Sequence, residues 1–287
     1  PMAAVRKMSI AKKTLFPVFI VIAATIFLYS IYTFTQIKDI EKSVYNQHAE
    51  TGSSYIDESF HATLEVLKTN AVSIAQITTL QDALSLDLKD QALEILTVVS
   101  KSLSDILETP VRIHVHTADV KSFVRVWKPE KNGDDLKSFR HTINEVKKTN
   151  APLAAFEVGR AAITLRGLAP IDQFGMYIGS LEVMVGLDKI IEHAKTDINS
   201  ESVFALDKSM ESITELLKDA PDLGQMKIVK TKGMNQQLAD QILQADADKT
   251  TPGYFITKDF LVIKYPVKDY QGKTAGMLFL GKPMTIV

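Results

Sequence analysis

Residues 110–127 read PVRIHVHTADVKSFVRVW, and within this stretch the apolar period changes from helical spacing to strict alternation. Val111, Ile113 and Val115 alternate with Arg112, His114 and His116, and Val124 and Val126 alternate with Phe123, Arg125 and Trp127. A period of two sends successive side chains to opposite faces of a strand. Two such runs joined by a short turn at 118–121 predict an antiparallel hairpin. If Val124 and Val126 face the core, then Phe123, Arg125 and Trp127 lie on the other face, beside Arg112, His114 and His116.

Upstream of Pro110 the period is helical. Ala92, Ile95, Leu96, Val99, Leu103 and Ile106 share one face of a helix over 88–107, and Pro110 ends it. Before that, residues 37–80 read as one long stalk helix, in which Phe60, Leu64, Leu67, Ala71 and Ile74 repeat at 4,3 spacing as a heptad seam. Earlier still, 24 residues from Thr14 to Ile37 carry no charge. A helix of about 20 apolar residues spans the hydrocarbon core, because lipid offers peptide groups no partner. Residues 14–36 are therefore expected to be a transmembrane helix. Arg6, Lys7, Lys12 and Lys13 precede it without an acidic residue, so residues 1–13 are expected to form a cytoplasmic tail and the bulk of the chain to lie outside. A cleaved signal fits poorly, since Tyr29, Tyr32 and Phe34 close the apolar run where a small-residue cleavage site would stand.

Downstream, Asn132-Gly133 marks a turn, 136–148 reads as a helix, and strands are expected around 155–157, 162–168 and 176–185, followed by a helix over 187–195. A short motif then recurs. Asp172, Gly175 and Gly179 stand at the same spacing as Asp269, Gly272 and Gly276, each set between two apolar strands and offset by 97 residues. The pattern is a hairpin whose tight turn needs Gly and Asp conformations and which feeds a final buried strand. Two copies imply tandem α+β modules with antiparallel sheets, the first over 81–195 and the second over 196–287.

Composition narrows the function classes. The 33 Lys and Arg, less the four of the tail, leave 29 against 34 Asp and Glu, a net charge of −5 that argues against a nucleic-acid partner. There is no cysteine, which excludes disulfides, thiol catalysis and Cys-type zinc sites. No nucleophile elbow, zinc-protease helix, phosphate-binding Gly-rich loop or dinucleotide fingerprint is present, so neither an enzyme nor a cofactor is implied. His114-x-His116 has a spacing that can hold a metal, but two ligands make no site, and a structural pair is the simpler reading.

What remains is an aromatic wall with guanidinium groups. Arg125 and Trp127, with Phe123 and His114 beside them, suit a small carboxylate, because Arg offers a planar two-donor fork and the ring excludes competing water. Arg140 and Arg166 could add positive charge, and Glu182 could contact either the ligand or an Arg. The alternative is a half-exposed sheet face with Arg stems lying on Trp127.

The arrangement of tail, span, long helix and two hairpin-closed modules resembles a double Cache domain, the extracytoplasmic sensing region of bacterial methyl-accepting chemotaxis proteins and of some sensor kinases. Arg125-Val-Trp127 with Lys128-Pro129, the segment Leu165-Arg-Gly-Leu-Ala-Pro170, and Gly179-Ser-Leu-Glu182 carry the resemblance. It implies that Arg125 and Trp127 bind a ligand carboxylate and that an acid on the last strand, here Glu182, reads an ammonium. Lys128 stands where a Tyr usually follows, so the expected ligand is a small organic anion or an amino-acid-like molecule. The resemblance further implies an output half beyond Val287, since a sensor without one could bind but not report. Sensor kinase ectodomain and anchored envelope scaffold are the rival readings. The heptad seam allows a homodimer or intramolecular packing.

Overall fold

The structure is a computed structural model that describes residues 10–159, 163–285 and 287. The basic tail expected over 1–13 lies outside the described residues except for the backbone of the first helical turn. The chain divides into two units, Pro1–His48 and Ala49–Val287.

The described part of the first unit is helix, the N-terminal part of α1 (Ile10–Ala75). Among the described residues α1 is the one helix long and apolar enough to cross a membrane, with a window of mean hydropathy 2.2 and no buried side chains in it. Its few polar groups are satisfied locally. The hydroxyls of Thr25, Ser30 and Thr33 donate to carbonyls four residues back, and Thr35 donates to Tyr32. A segment in lipid requires this, having no water to bond.

In the second unit α1 becomes a core element. Ile56, Phe60, Leu67, Ala71 and Ile74 are buried in the main apolar cluster of this chain. The seam therefore packs intramolecularly and is not on offer to a second copy. Next come α2 (Thr78–Ser85) and α3 (Lys89–Leu107), packed together beside β1 (Arg112–Thr117) and β2 (Ser122–Arg125). The first module continues with α4 (His141–Thr149), β3 (Leu153–Val158), β4 (Ile163–Gln173), β5 (Met176–Val185) and α5 (Asp188–Asp197). Its sheet is antiparallel with order β2-β1-β5-β4-β3.

The second module comprises β6 (Glu201–Asp207), β7 (Asp222–Leu223), β8 (Met226–Val229), α6 (Gln236–Gln244), β9 (Gly253–Ile256), β10 (Phe260–Lys268) and β11 (Thr274–Pro283). Its order is β7-β8-β6-β11-β10-β9, the first sheet's order with one short strand added. The repeated motif marks equivalent places. Phe174 and Gly175, both at positive φ, form the two-residue turn between β4 and β5, while Gly272, at φ 79°, and the Asp269 carboxylate, which accepts from Gln271 and Lys273 N–H, shape the turn between β10 and β11. The second glycine of each copy meets a neighbouring carbonyl. A Cβ on Gly179 would lie 2.2 Å from the His116 oxygen, and one on Gly276 would lie 2.4 Å from the Ala205 oxygen.

The two sheets share one apolar core along α1, with Phe156 of the first and Phe204 of the second in edge contact at 6.0 Å between ring centroids. Gly167 lets β4 close on α1, since a Cβ there would sit 2.1 Å from the Leu67 carbonyl carbon. The helix α5 falls where a helix over 187–195 is expected, whereas α6, the short strand β7 and the helix α2 were not legible in the periodicity. The helix expected over 136–148 starts later, at His141, because residues 128–139 fold back along β2 instead.

Candidate functional site

Register decides which side chains meet. His114 pairs with Arg125, Val115 with Val124, and His116 with Ser122, so Phe123 is the extra residue of a β-bulge. Strict alternation would have put Phe123 beside Arg125. The bulge turns it to the other face, where it is buried in the apolar cluster with the Lys89 ammonium 5.5 Å from its ring centroid. Phe123 is thus a core residue and does not line the cleft. The other six expected residues, His114, Arg125, Trp127, Arg140, Arg166 and Glu182, all line one cleft of about 240 Å³.

Glu182 is its deepest carboxylate, fully buried on the central strand β5. Its Oε2 accepts from Arg140 at 2.5 Å and Arg166 at 2.9 Å, and its Oε1 lies 2.9 Å from His114 Nδ1. His114 Nε2 lies 2.9 Å from the Ser122 hydroxyl, so a neutral ring donates from Nδ1 to the carboxylate and accepts from the serine. His116 repeats the arrangement, with Nδ1 2.9 Å from Ser180 Oγ and Nε2 3.5 Å from Glu182, beyond a formed hydrogen bond. Behind them Glu157 Oε2 accepts from Thr142 at 3.0 Å and from Arg140 Nε at 3.3 Å, and Arg166 Nε donates to Thr164 at 2.8 Å.

Burial alone would raise the Glu182 carboxyl, but Arg140 and Arg166, followed by the two histidines, outweigh it and hold it well below the usual carboxylate range. Burial also pushes His114 well below the ordinary histidine value, with His116 adding to the effect, and lowers His116 for the same first reason. Both rings are neutral near pH 7, and the guanidiniums carry the charge.

His114, His116 and Glu182 bring their ligand atoms within 4.8 Å of one another, the one such triple among the described residues. The set does not fit a divalent cation. Glu182 Oε2 is already held by two guanidiniums, and a further double charge beside them in a site shielded from water would be repelled.

Nearer the mouth, Arg125 Nη1 donates to Lys131 O at 2.5 Å and Asp134 Oδ1 at 2.6 Å, and Nη2 donates to Asp134 Oδ2 at 2.8 Å. This fork ties the 128–135 loop to β2, and it lowers the Asp134 carboxyl. The other edge of the guanidinium, Nε–H with the second Nη2 hydrogen, has no protein partner among the described residues. Trp127 is 42% exposed, edge-on to His114 at 5.8 Å, with the Arg112 guanidinium 5.8 Å from its ring centroid. Lys128 and Lys131 complete the rim, and Leu136 and Phe139 form an apolar wall.

Residues 45–286 match the family described as the double sensory domain of two-component sensor kinase. The chain belongs to the double Cache family. Among curated proteins none matches its sequence significantly. Similar solved structures include the periplasmic domain of Vibrio cholerae LuxQ, at 15% identity and TM-score 0.55 over 83% of this chain and 100% of that one. A sensory box/GGDEF family protein domain from Vibrio parahaemolyticus shares 15% identity at TM-score 0.51, over 85% of this chain and 97% of that one. The isoleucine-bound sensory domain of the Campylobacter jejuni chemoreceptor Tlp3 matches at 13% identity and TM-score 0.48, over 88% of this chain and 96% of that one.

The two modules of this double Cache protein differ in what they present on equivalent faces. The pair His114 and Glu182 becomes Val203 and Phe279, and Arg166 becomes Val262, by the registers of the two sheets. Val203, Val262 and Phe279 join Leu238, Ile242 and Phe255 in a closed apolar cluster. The polar cleft belongs to the first module. Asp134, Glu157 and Lys131 were absent from the site expected from sequence, and Arg112 and Lys128 stood beside it without an assigned role. Glu157 left a trace, a lone acid in the apolar run of β3; Asp134, beside a turn, left none.

Proposed function

We propose that this protein is a membrane-anchored extracytoplasmic sensor whose first module binds a small organic anion and passes the change across the bilayer through α1. The observation that carries this reading is the charge of the cleft. Arg112, Arg125, Arg140, Arg166, Lys128 and Lys131 line it against Asp134 and Glu182, with Glu157 behind. Glu182 has both oxygens engaged by cations and a histidine, so it is not offered to a ligand ammonium. That favours a carboxylate over a zwitterionic amino acid. The unused edge of Arg125 and the Arg112–Trp127 stack supply a fork and a flat wall of the right chemistry.

The N-terminal span would sit in the inner membrane, with the tail in the cytoplasm. The family description favours the sensor kinase as the output class over the chemotaxis receptor. A second copy would have to pair through the other face of α1, where Val66 and Val72 are exposed. The domain bounds proposed are the long helix, which ends at Ala75 and not at residue 80, the cleft-bearing module over 81–195 and the apolar module over 196–287.

A thermal-shift panel of mono- and dicarboxylates tests the reading. A ligand in hundredfold excess over its Kd should stabilise the fold by about 2.7 kcal/mol. Arg125→Lys, which keeps the charge and loses the fork, should weaken that ligand about tenfold or more. No response to any carboxylate, or an unchanged response in the variant, would refute it.

A further inference from the structure

Beside the cleft lies a second cavity of about 240 Å³ at the junction of the two modules. Its first-module wall is the start of β1 and β4 and the passage from β5 into α5; its second-module wall is the end of β8 and the turn after it. Arg112, Thr164 and Met184 line both cavities and form the partition between them. From the second module Lys230 and Lys232 face the same space. Among the described residues neither lysine, nor Arg112, has a carboxylate partner, although the chain carries 34 acidic residues. Asp188 is the single carboxylate on the wall. Thr231 Oγ1, between the two lysines, has no hydrogen-bond partner among the described residues and is closed off from the cavity itself. The turn bearing them is held in place: Gly233, at φ 83°, lies against α5, where a Cβ would come within 3.2 Å of Ile191.

Three exposed cations without a carboxylate partner, set around a cavity with one acid, describe a receptacle for an oxyanion. We propose that this junction cavity is a second anion site, one that takes a small tetrahedral or carboxylate oxyanion and bridges Arg112 of the first module to Lys230 and Lys232 of the second. Arg112 is common to both cavities, so occupancy of one changes the charge felt in the other. The junction anion would thus set the affinity of the cleft and couple the modules directly, because a bridging ion is bound best in one relative placement of its ligands. The site does not depend on the cleft binding anything.

Inorganic phosphate is the probe, at constant ionic strength with chloride as the control, against the whole chain in detergent. Phosphate should raise the melting temperature saturably. The double variant Lys230→Gln and Lys232→Gln should weaken its apparent affinity about tenfold or more, since two charge-assisted contacts are lost. Arg125→Lys, which alters the cleft alone, should leave the phosphate response in place. An equal response to chloride, a non-saturating rise, or a response unchanged by the lysine variants overturns the proposal. A phosphate response lost in Arg125→Lys and kept in the lysine variants would move the anion to the cleft and equally overturn it.

Discussion

At the scale of single residues, the site is a problem in keeping charge inside a protein. Glu182 is tolerable at zero exposure because Arg140, Arg166 and His114 occupy its lone pairs. The arrangement sets a pH dependence. His114 and His116 have folded-state values below their unfolded ones, so below about pH 6.5 the unfolded chain binds protons that the folded chain does not. Stability is therefore complete above that pH and falls as pH drops below it. Glu182, whose value is lowered, adds a further loss below about pH 4.5. Urea titrations at pH 7.5 and 5.5 should show the lower stability at pH 5.5, and equal unfolding free energies would mean that folding does not lower the two rings. That Arg125, Trp127 and Glu182 would share one face was legible because each is a polar or aromatic residue in an alternating run. Asp134, which takes the Arg125 fork from a loop nine residues on, and Glu157, which pairs with Arg140 and Arg166 across the sheet, were not, since those contacts follow no period along one segment.

At the scale of elements, one inserted residue and a few glycines control the geometry. Alternation places Phe123 with Arg125; the bulge between Val115 and His116 opposes that and gives the residue to the core. Nothing in the local pattern announces a bulge, which is a property of the pair of strands. Gly167 and Gly175 separate two reasons for glycine. Gly175 sits at φ 77° with open space around it, so Gly175→Ala should cost about 1–2 kcal/mol of backbone strain. Gly167 has ordinary backbone but lies against the α1 main chain, so Gly167→Ala must push β4 off the helix at roughly 1–3 kcal/mol or more. Denaturant midpoints should rank Gly167→Ala as the less stable protein. The reverse order would show that α1 yields at that contact.

At the scale of the whole molecule, Ala49–Val287 packs as one unit although it holds two sheets of the same order. The shared cluster along α1 and the Phe156–Phe204 contact predict joint unfolding. Trp127, the sole tryptophan, reports the first module, whereas far-ultraviolet dichroism reports both. The two midpoints should coincide; an earlier fluorescence change would mean the modules melt separately. The amino-acid sequence by itself determined the apolar span, the long helix, the switch to strands after Pro110 and the duplication, because each is written in a local period or a repeated turn. Tertiary structure decided that the heptad seam is consumed within the chain, that Phe123 belongs to the core, that Glu182 is neutralised by arginines, and that the second module's equivalent face is closed with Val203, Val262 and Phe279. Those outcomes rest on register and on contacts between residues far apart in sequence, which no period along a single segment encodes.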